Sequence, residues 1–429
     1  MARISRVRRR RFAFLAGASA AALVLAGCSG GKDDDGPPAA SASASRPAGT
    51  AAAGVGATPT GPVTVTAGAP MSARAAAVAA YLDEHWPSGA GGAITTARDG
   101  ELVGCQGRGR ANRESGVDAG CDTVFDIGSI TKSFTAAAIL KLETTGVLRV
   151  TDPIGTHLGP VPDDKRGITV HHLLTHTSGL PEGLGDDYEP LSRDDMLARA
   201  LAAPLESAPG GTFAYSNVGY SLLAAIVEKA SGTTYSEFLT RNLFAPAGMT
   251  RTGYRLADTR RDDVAVEYDS AGRGHGTPPD HPWAPDGPYW NLRGNGGLLS
   301  TARDMYRWYR ALDGESILPA AAKAKMFTPH VPESPDGEQF YGYGWSILPG
   351  TPGTPGTPGT PGTPGTPGTP GTIVTHDGGN DWSYARFLIR PADRVMVFWV
   401  TNSVVREGDW NLEEQDRELT LALVAATAT

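Results

Sequence analysis

Apolar positions recur with helical or strand periods at both ends of the chain. Ser72–His85 has the spacing of an amphipathic helix. Ala93–Arg98 and Glu101–Gln106 read as strands joined at Asp99-Gly100, a pair favoured in tight hairpins. Ser133–Thr145 and Val218–Ser231 read as helices closed by Gly146 and Gly232, since glycine takes the left-handed conformation that ends a helix. Ala385–Ile389 and Val395–Thr401 are β-rich around a Pro391-Ala392-Asp393 turn, and Glu413–Ala426 reads as a last helix. Strands near both termini with helices between them predict an α/β (α+β) fold. It has one antiparallel sheet built from both ends, flanked by helices, with a helical insertion.

Two stretches lack this periodicity and account for much of the composition. Six arginines and no acid precede an apolar run, Phe12 to Gly27, which is short for a bilayer span and suits an export signal. The run ends Leu25-Ala26-Gly27-Cys28, the pattern of a bacterial lipobox, so residues 1–27 are expected to be removed and Cys28 acylated. Residues 28–70 are rich in Ala, Gly, Ser, Thr and Pro and read as a tether that holds a domain clear of a membrane. Residues 351–371 are seven copies of Thr-Pro-Gly, read as an inserted loop within a single domain over 71–429. Removing residues 1–27 leaves 32 basic side chains against 46 acidic ones. That balance argues against nucleic acid as a partner, because phosphate binding needs a basic face. The expected localisation is the extracytoplasmic face of a cell membrane, through the lipid. Lysine is scarce, seven against 31 arginines, so a lysine in a motif stands out.

Of three cysteines, Cys105 and Cys121 remain for the exported domain, where thiols tend to pair. A disulfide there would contribute on the order of 3 kcal/mol by closing a short loop; two buried thiols is the alternative.

Candidate chemistry begins at Ser129-Ile130-Thr131-Lys132, where serine and lysine at i and i+3 share a helix face. Ser129 would sit at the helix N-terminus, with its own N–H free to serve an oxyanion. A serine hydroxyl needs a neighbour to take its proton, and a buried lysine could do so. Alone, the pair could equally be a capping serine and a surface lysine. Tyr215-Ser216-Asn217 adds a phenol for acid–base work and an amide for a substrate carbonyl, although Asn217 alone could be a helix N-cap. His376-Asp377-Gly378-Gly379 adds glycines that let substrate approach a strand, and the Gly379 N–H could complete an oxyanion hole.

These three motifs, in this order, resemble the serine β-lactamase and penicillin-binding superfamily: Ser-x-x-Lys, Tyr-x-Asn, then Lys/His-x-Gly. Within it the chain is most similar to the class C β-lactamase and D-alanyl-D-alanine carboxypeptidase branch. Further support comes from His172–Leu180, Gly296–Thr301 and Tyr343-Gly344-Trp345, and the resemblance runs from about residue 71 to the end. It implies a β-lactamase/transpeptidase-like fold and a serine hydrolase that forms an acyl-enzyme on an amide or ester. Ser129 would be the nucleophile, Lys132 and Tyr215 would share base work, and Asn217, His376, Gly378 and Gly379 would bind substrate. No cofactor is implied. The expected partner is a small molecule or peptide such as a peptidoglycan stem peptide, met by a monomer.

Three departures qualify the resemblance. His376 stands where class C β-lactamases usually carry lysine, which leans the reading towards a carboxypeptidase-like or esterase-like hydrolase. The alternatives are a class C-like β-lactamase or a silent peptidoglycan- or β-lactam-binding protein. Trp382 replaces a common glycine and could narrow the site or pack a loop. Asp126 replaces a glutamate. His172 and His176 have i, i+4 spacing, but no zincin pattern flanks them and no metal is expected. Trp283, Tyr289 and Trp290 lie in a Pro/Gly-rich loop and could wall a cleft or pack a core. The acidic pairs Asp186-Asp187 and Asp262-Asp263 read as solvated surface.

Overall fold

The computed structural model describes residues 72–256, 259–334, 337–350, 371–404, 406–407 and 410–428. The stretches expected to be a signal and a tether, with Cys28, and all but the last residue of the Thr-Pro-Gly tract lie outside them. The frame is an eight-stranded antiparallel sheet. Its strands are β1 (Gly92–Arg98), β2 (Glu101–Arg108), β3 (Val331–Pro332), β4 (Phe340–Tyr341), β5 (Ser346–Leu348), β6 (Ile373–Gly379), β7 (Tyr384–Arg390) and β8 (Val395–Thr401). Their order is β2-β1-β8-β7-β6-β5-β4-β3, so the first hairpin inserts beside the last, and strands from both ends share one sheet.

β8 shows why. All seven of its residues are buried, and its side chains alternate between two cores. Val395, Val397 and Trp399 pack with Val78, Leu82, Leu419 and Leu423 of α1 (Ala73–His85) and the last helix, Leu412–Ala428. Met396, Phe398 and Val400 face the larger core with Phe134, Trp308 and Phe387. A strand covered on both faces reads as one apolar run, because neither parity of the alternation meets water.

The larger core is the helical insertion. It centres on α2 (Thr131–Thr144) and α3 (Asn217–Ser231), where every residue from Val218 to Val227 is buried. α2 starts two residues earlier than expected, because a 3-10 turn at Gly128–Ile130 leads into it. Gly232 closes α3 in the left-handed conformation, and Asp99-Gly100 turns the first hairpin with both φ angles positive (54° and 82°). Cys105 and Cys121 are bonded, their Cα atoms 5.8 Å apart, which ties β2 to the segment leading into the nucleophile loop.

Candidate active site

From Val124 to Leu140 every residue is buried except Ser129. The turn that presents it is fixed on both sides. Phe125–Asp126 pairs with Leu299–Ser300, and the Asp126 carboxylate accepts the Gly128 N–H at 2.7 Å. Leu298 N–H donates to the Thr131 hydroxyl at 3.2 Å. Gly128 has φ +49°, and a Cβ there would lie 2.3 Å from the Gly379 nitrogen. A Cβ on Gly378 would lie 2.5 Å from the Ser129 nitrogen. The end of β6 therefore rests directly on the serine turn, and only glycine permits that approach.

Lys132 is 0% exposed, and its Nζ is 3.0 Å from Ser129 Oγ, 2.8 Å from Asn217 Oδ1 and 2.7 Å from the Asn295 carbonyl oxygen. Burial lowers its pKa to about 7, against the opposing pull of carboxylates led by Asp187. A neutral amine has two N–H bonds and one lone pair. The two carbonyl oxygens occupy the N–H bonds, which leaves the lone pair for the Ser129 hydroxyl proton.

Asn217 can reach Lys132 because it is not the cap of α3. Ser216 fills that place, its hydroxyl accepting the Gly219 N–H at 3.1 Å, so the capping alternative for Asn217 is corrected. The Tyr215-Ser216-Asn217 segment is held from behind by His176. Its Nδ1 accepts the Ser216 N–H at 3.0 Å, and its ring stacks on Tyr215 at 4.4 Å. His176 is 1% exposed, and burial lowers its pKa far below the usual histidine value, so it is a neutral ring. It stands at φ +57°, outside any helix, while the His172 ring accepts the Thr169 N–H. The two imidazoles have separate backbone duties, and among the described residues no group of side chains could hold a metal ion.

The Tyr215 ring centroid is 4.7 Å from Lys132 Nζ, and its hydroxyl hydrogen-bonds Ser129. Burial raises this phenol well above its usual value, and the bond to Ser129 offsets part of that. Tyr215 is therefore protonated at neutral pH, suited to passing a proton on rather than to starting as a phenolate.

The recess around Ser129, about 80 Å³, is lined by Gly128, Asn217, Asn295, Gly296, Gly297, Gly379 and Asn380, with Asp126, Asp187, Tyr188 and Leu292. His376 is not among them. It is 4% exposed, with Nε2 3.0 Å from the Tyr341 hydroxyl and Nδ1 against the Asp377 carbonyl oxygen. Burial lowers its pKa to about 4, so it is neutral and turned into the protein. Gly378 also stays out of the lining and supports the Ser129 turn. Trp382 packs a loop, sandwiched between His275 at 4.8 Å and His281 at 4.7 Å. Trp290 is buried in the large core, and Trp283 packs beside Val264 and Leu299; none of the three loop aromatics lines the recess.

Asn295, Asn380 and Asp187 were not foreseen as site residues. Asn295 contributes a backbone carbonyl, which leaves no side-chain signature. The Asn380 amide spans two carboxylates, 3.3 Å from Asp126 and 2.7 Å from Glu267. Burial and Glu267 raise Asp126 to about 7. The Asp186-Asp187 pair, read as solvated surface, is only half so: Asp187 is exposed, but into the recess.

A serine, a buried lysine whose pKa is lowered to about 7, and a phenol in mutual contact, set between an antiparallel sheet and a helical insertion, define a serine hydrolase of the β-lactamase and penicillin-binding superfamily. The chain belongs to the Beta-lactamase family, which it matches over residues 75–422. It is 29% identical to penicillin-binding protein 4* of Bacillus subtilis (strain 168) over 352 residues, 78% of this chain and 71% of that one. It is 33% identical to esterase EstB of Burkholderia gladioli over 224 residues, 46% of this chain and 56% of that one. Among solved structures, the octameric penicillin-binding protein homologue from Pyrococcus abyssi superposes with a TM-score of 0.65 at 28% identity, covering 82% of this chain and 76% of that one.

Proposed function

We propose that this protein is an exported, lipid-anchored hydrolase that acylates Ser129 from an amide or ester, of carboxypeptidase-like or esterase-like type. The observation that carries the reading is the Lys132 amine, whose two N–H bonds meet Asn217 and Asn295 while its remaining position faces Ser129. Lys132 takes the serine proton as Oγ attacks the substrate carbonyl, and the Ser129 and Gly379 N–H groups receive the developing oxyanion. Tyr215, between lysine and serine, returns the proton to the departing amine or alcohol as its bond to the acyl carbon breaks. Water then attacks the acyl-enzyme, giving up a proton along the same path and releasing the acid and Ser129. A neutral, inward-facing His376 offers no charge to a substrate carboxylate, which favours the esterase-like form of this reading over a carboxypeptidase-like one or a β-lactamase, since both of those substrates carry a carboxylate.

The test is labelling by a serine-reactive fluorophosphonate and by fluorescent penicillin, with Ser129→Ala as blank. Absence of any Ser129-dependent label would overturn the acyl-enzyme. Turnover of a D-Ala-D-Ala peptide, nitrocefin and p-nitrophenyl acetate sorts the type. Anchoring is tested by palmitate incorporation, which Cys28→Ala should abolish.

A further inference from the structure

The polarity of the recess narrows its substrate. Among the described residues, none of the side chains that line it is basic, and Lys132 lies beneath the floor with its N–H bonds directed to Asn217 and Asn295. Two carboxylates do line it. Asp126 is 7% exposed and engaged with Gly128 and Asn380. Asp187 differs: it is exposed and makes no side-chain hydrogen bond or ion pair among the described residues. Its neighbour Asp186 caps the Tyr188 N–H at 2.8 Å, which turns that aspartate away to local work. Burial, then the neighbouring charge of Asp186, raises Asp187 to about 6 against the pull of Lys132, so above that pH the wall is negative. Tyr188 stands beside it, its ring braced on His281 at 4.8 Å, presenting an aromatic surface of the kind that accommodates a cation.

Two features that would suit an anion are missing from the lining. The family's usual cation on β6 is here His376, neutral and hydrogen-bonded to Tyr341. Arg386, which stands opposite Asp377 of β6 on β7, is paired with Asp416 and Asp377. A carboxylate-bearing substrate would meet like charge at Asp187 with no basic side chain among the described lining residues to pair with it. An ammonium would meet an unpaired carboxylate and a braced ring in the same small recess as the nucleophile.

Resting on the acyl-enzyme reading, we infer that the Ser129 recess selects esters or amides that carry a protonated amine, with Asp187 as the anionic contact and Tyr188 as the flanking wall. The substrate class is thus an amino-acyl ester or amide rather than one bearing a carboxylate beside the scissile bond.

The test uses the full chain and three p-nitrophenyl esters of equal length: hexanoate, 6-aminohexanoate and hydrogen adipate, each corrected for spontaneous hydrolysis. The expected order of kcat/KM is aminohexanoate above hexanoate above adipate, with the first ratio at least about fivefold, as one partly screened charge pair would give. Asp187→Asn should bring that ratio close to one, while Asp187→Glu should keep it. Equal or reversed ratios in the wild type, or a ratio unchanged in Asp187→Asn, would overturn the inference and leave the hydrolase reading intact. Fluorophosphonate labelling of Ser129 without turnover of the aminohexanoate ester would do the same. No turnover of any ester and no label at Ser129 would bring down both.

Discussion

Strand β8 and the Lys132 pocket are equally closed to water, yet burial does opposite things in them. Phe398 and Trp399 are 0% exposed, and so is Lys132. In β8 each side chain leaves water for one of two apolar cores, and the transfer stabilises the fold. In the pocket a group that is normally charged leaves water, and that transfer costs stability unless the charge is given up. Asn217 and Asn295 reduce the cost by accepting the amine N–H bonds, but they cannot replace lost solvation of an ammonium. The lysine therefore becomes a base near neutral pH, at the price of a less stable protein below it. The frame contributes stability that the pocket draws on.

The sharpest way to break this contrast is Lys132→Arg. A guanidinium keeps its proton at working pH, so the variant should lose more than roughly 10⁴-fold in the rate of Ser129 acylation. Substantial residual turnover would remove Lys132 as base. In the wild type the acylation rate should rise with pH through about 7, where the amine empties. The folded pKa lies below that of the unfolded lysine, so the unfolded chain binds more protons between about pH 7 and pH 10. Stability carried by this group is therefore gained as pH rises across that window and absent below it. Lys132→Met should flatten that slope in denaturant titrations, and an unchanged slope would mean the amine is not perturbed as described.

Tyr215→Phe should act in the same pocket but less severely, lowering kcat by roughly 10²–10⁴-fold, the usual worth of one proton-transfer partner. The ring still stacks on His176, so the melting temperature should move little. A near-wild-type rate would assign the proton relay elsewhere.

Phe398→Ala tests the other side of the comparison. Deleting a fully buried phenyl should cost about 3–5 kcal/mol in denaturant unfolding. The acylation rate of the fraction that remains folded should stay near that of the wild type. A selective loss of acylation would couple the sheet to the site and dissolve the distinction.

The same contrast explains what was legible in the chain. β8 and α3 announce themselves because packing acts through side-chain identity, repeated at a fixed period. Ser129, Lys132, Tyr215 and Asn217 were legible as residue types at short spacings, and the fold brings them together. Asn295 was hidden because it contributes a backbone carbonyl, for which any residue would read alike. Asp187 was misread because an acidic pair looks the same on open surface and at a cleft wall; only the fold of the intervening loop separates the two. His376 misled in the other direction, since its spacing suits a binding strand while its side chain is drawn inward by Tyr341. Trp382 had two readings, and the flanking imidazoles that decide between them are over a hundred residues away in sequence.

The smallest expected effect lies between the two regions, at the Thr-Pro-Gly tract. Its flanks are held together without it: Gly350 N–H donates to the Thr372 hydroxyl at 3.1 Å, and Leu348 of β5 pairs with Ile373 of β6. A connector between ends already pinned costs the fold only closing entropy, which changes by roughly 0.6 kcal/mol for each doubling of length. Cutting seven triplets to two should then raise stability by about 1 kcal/mol and leave acylation of Ser129 unchanged. Since β6 ends on the serine turn, the variant also asks whether strand and tract are mechanically separate. A fall in melting temperature would show that the tract contributes contacts of its own, and a fall in acylation alone would show that it helps seat β6 against Ser129.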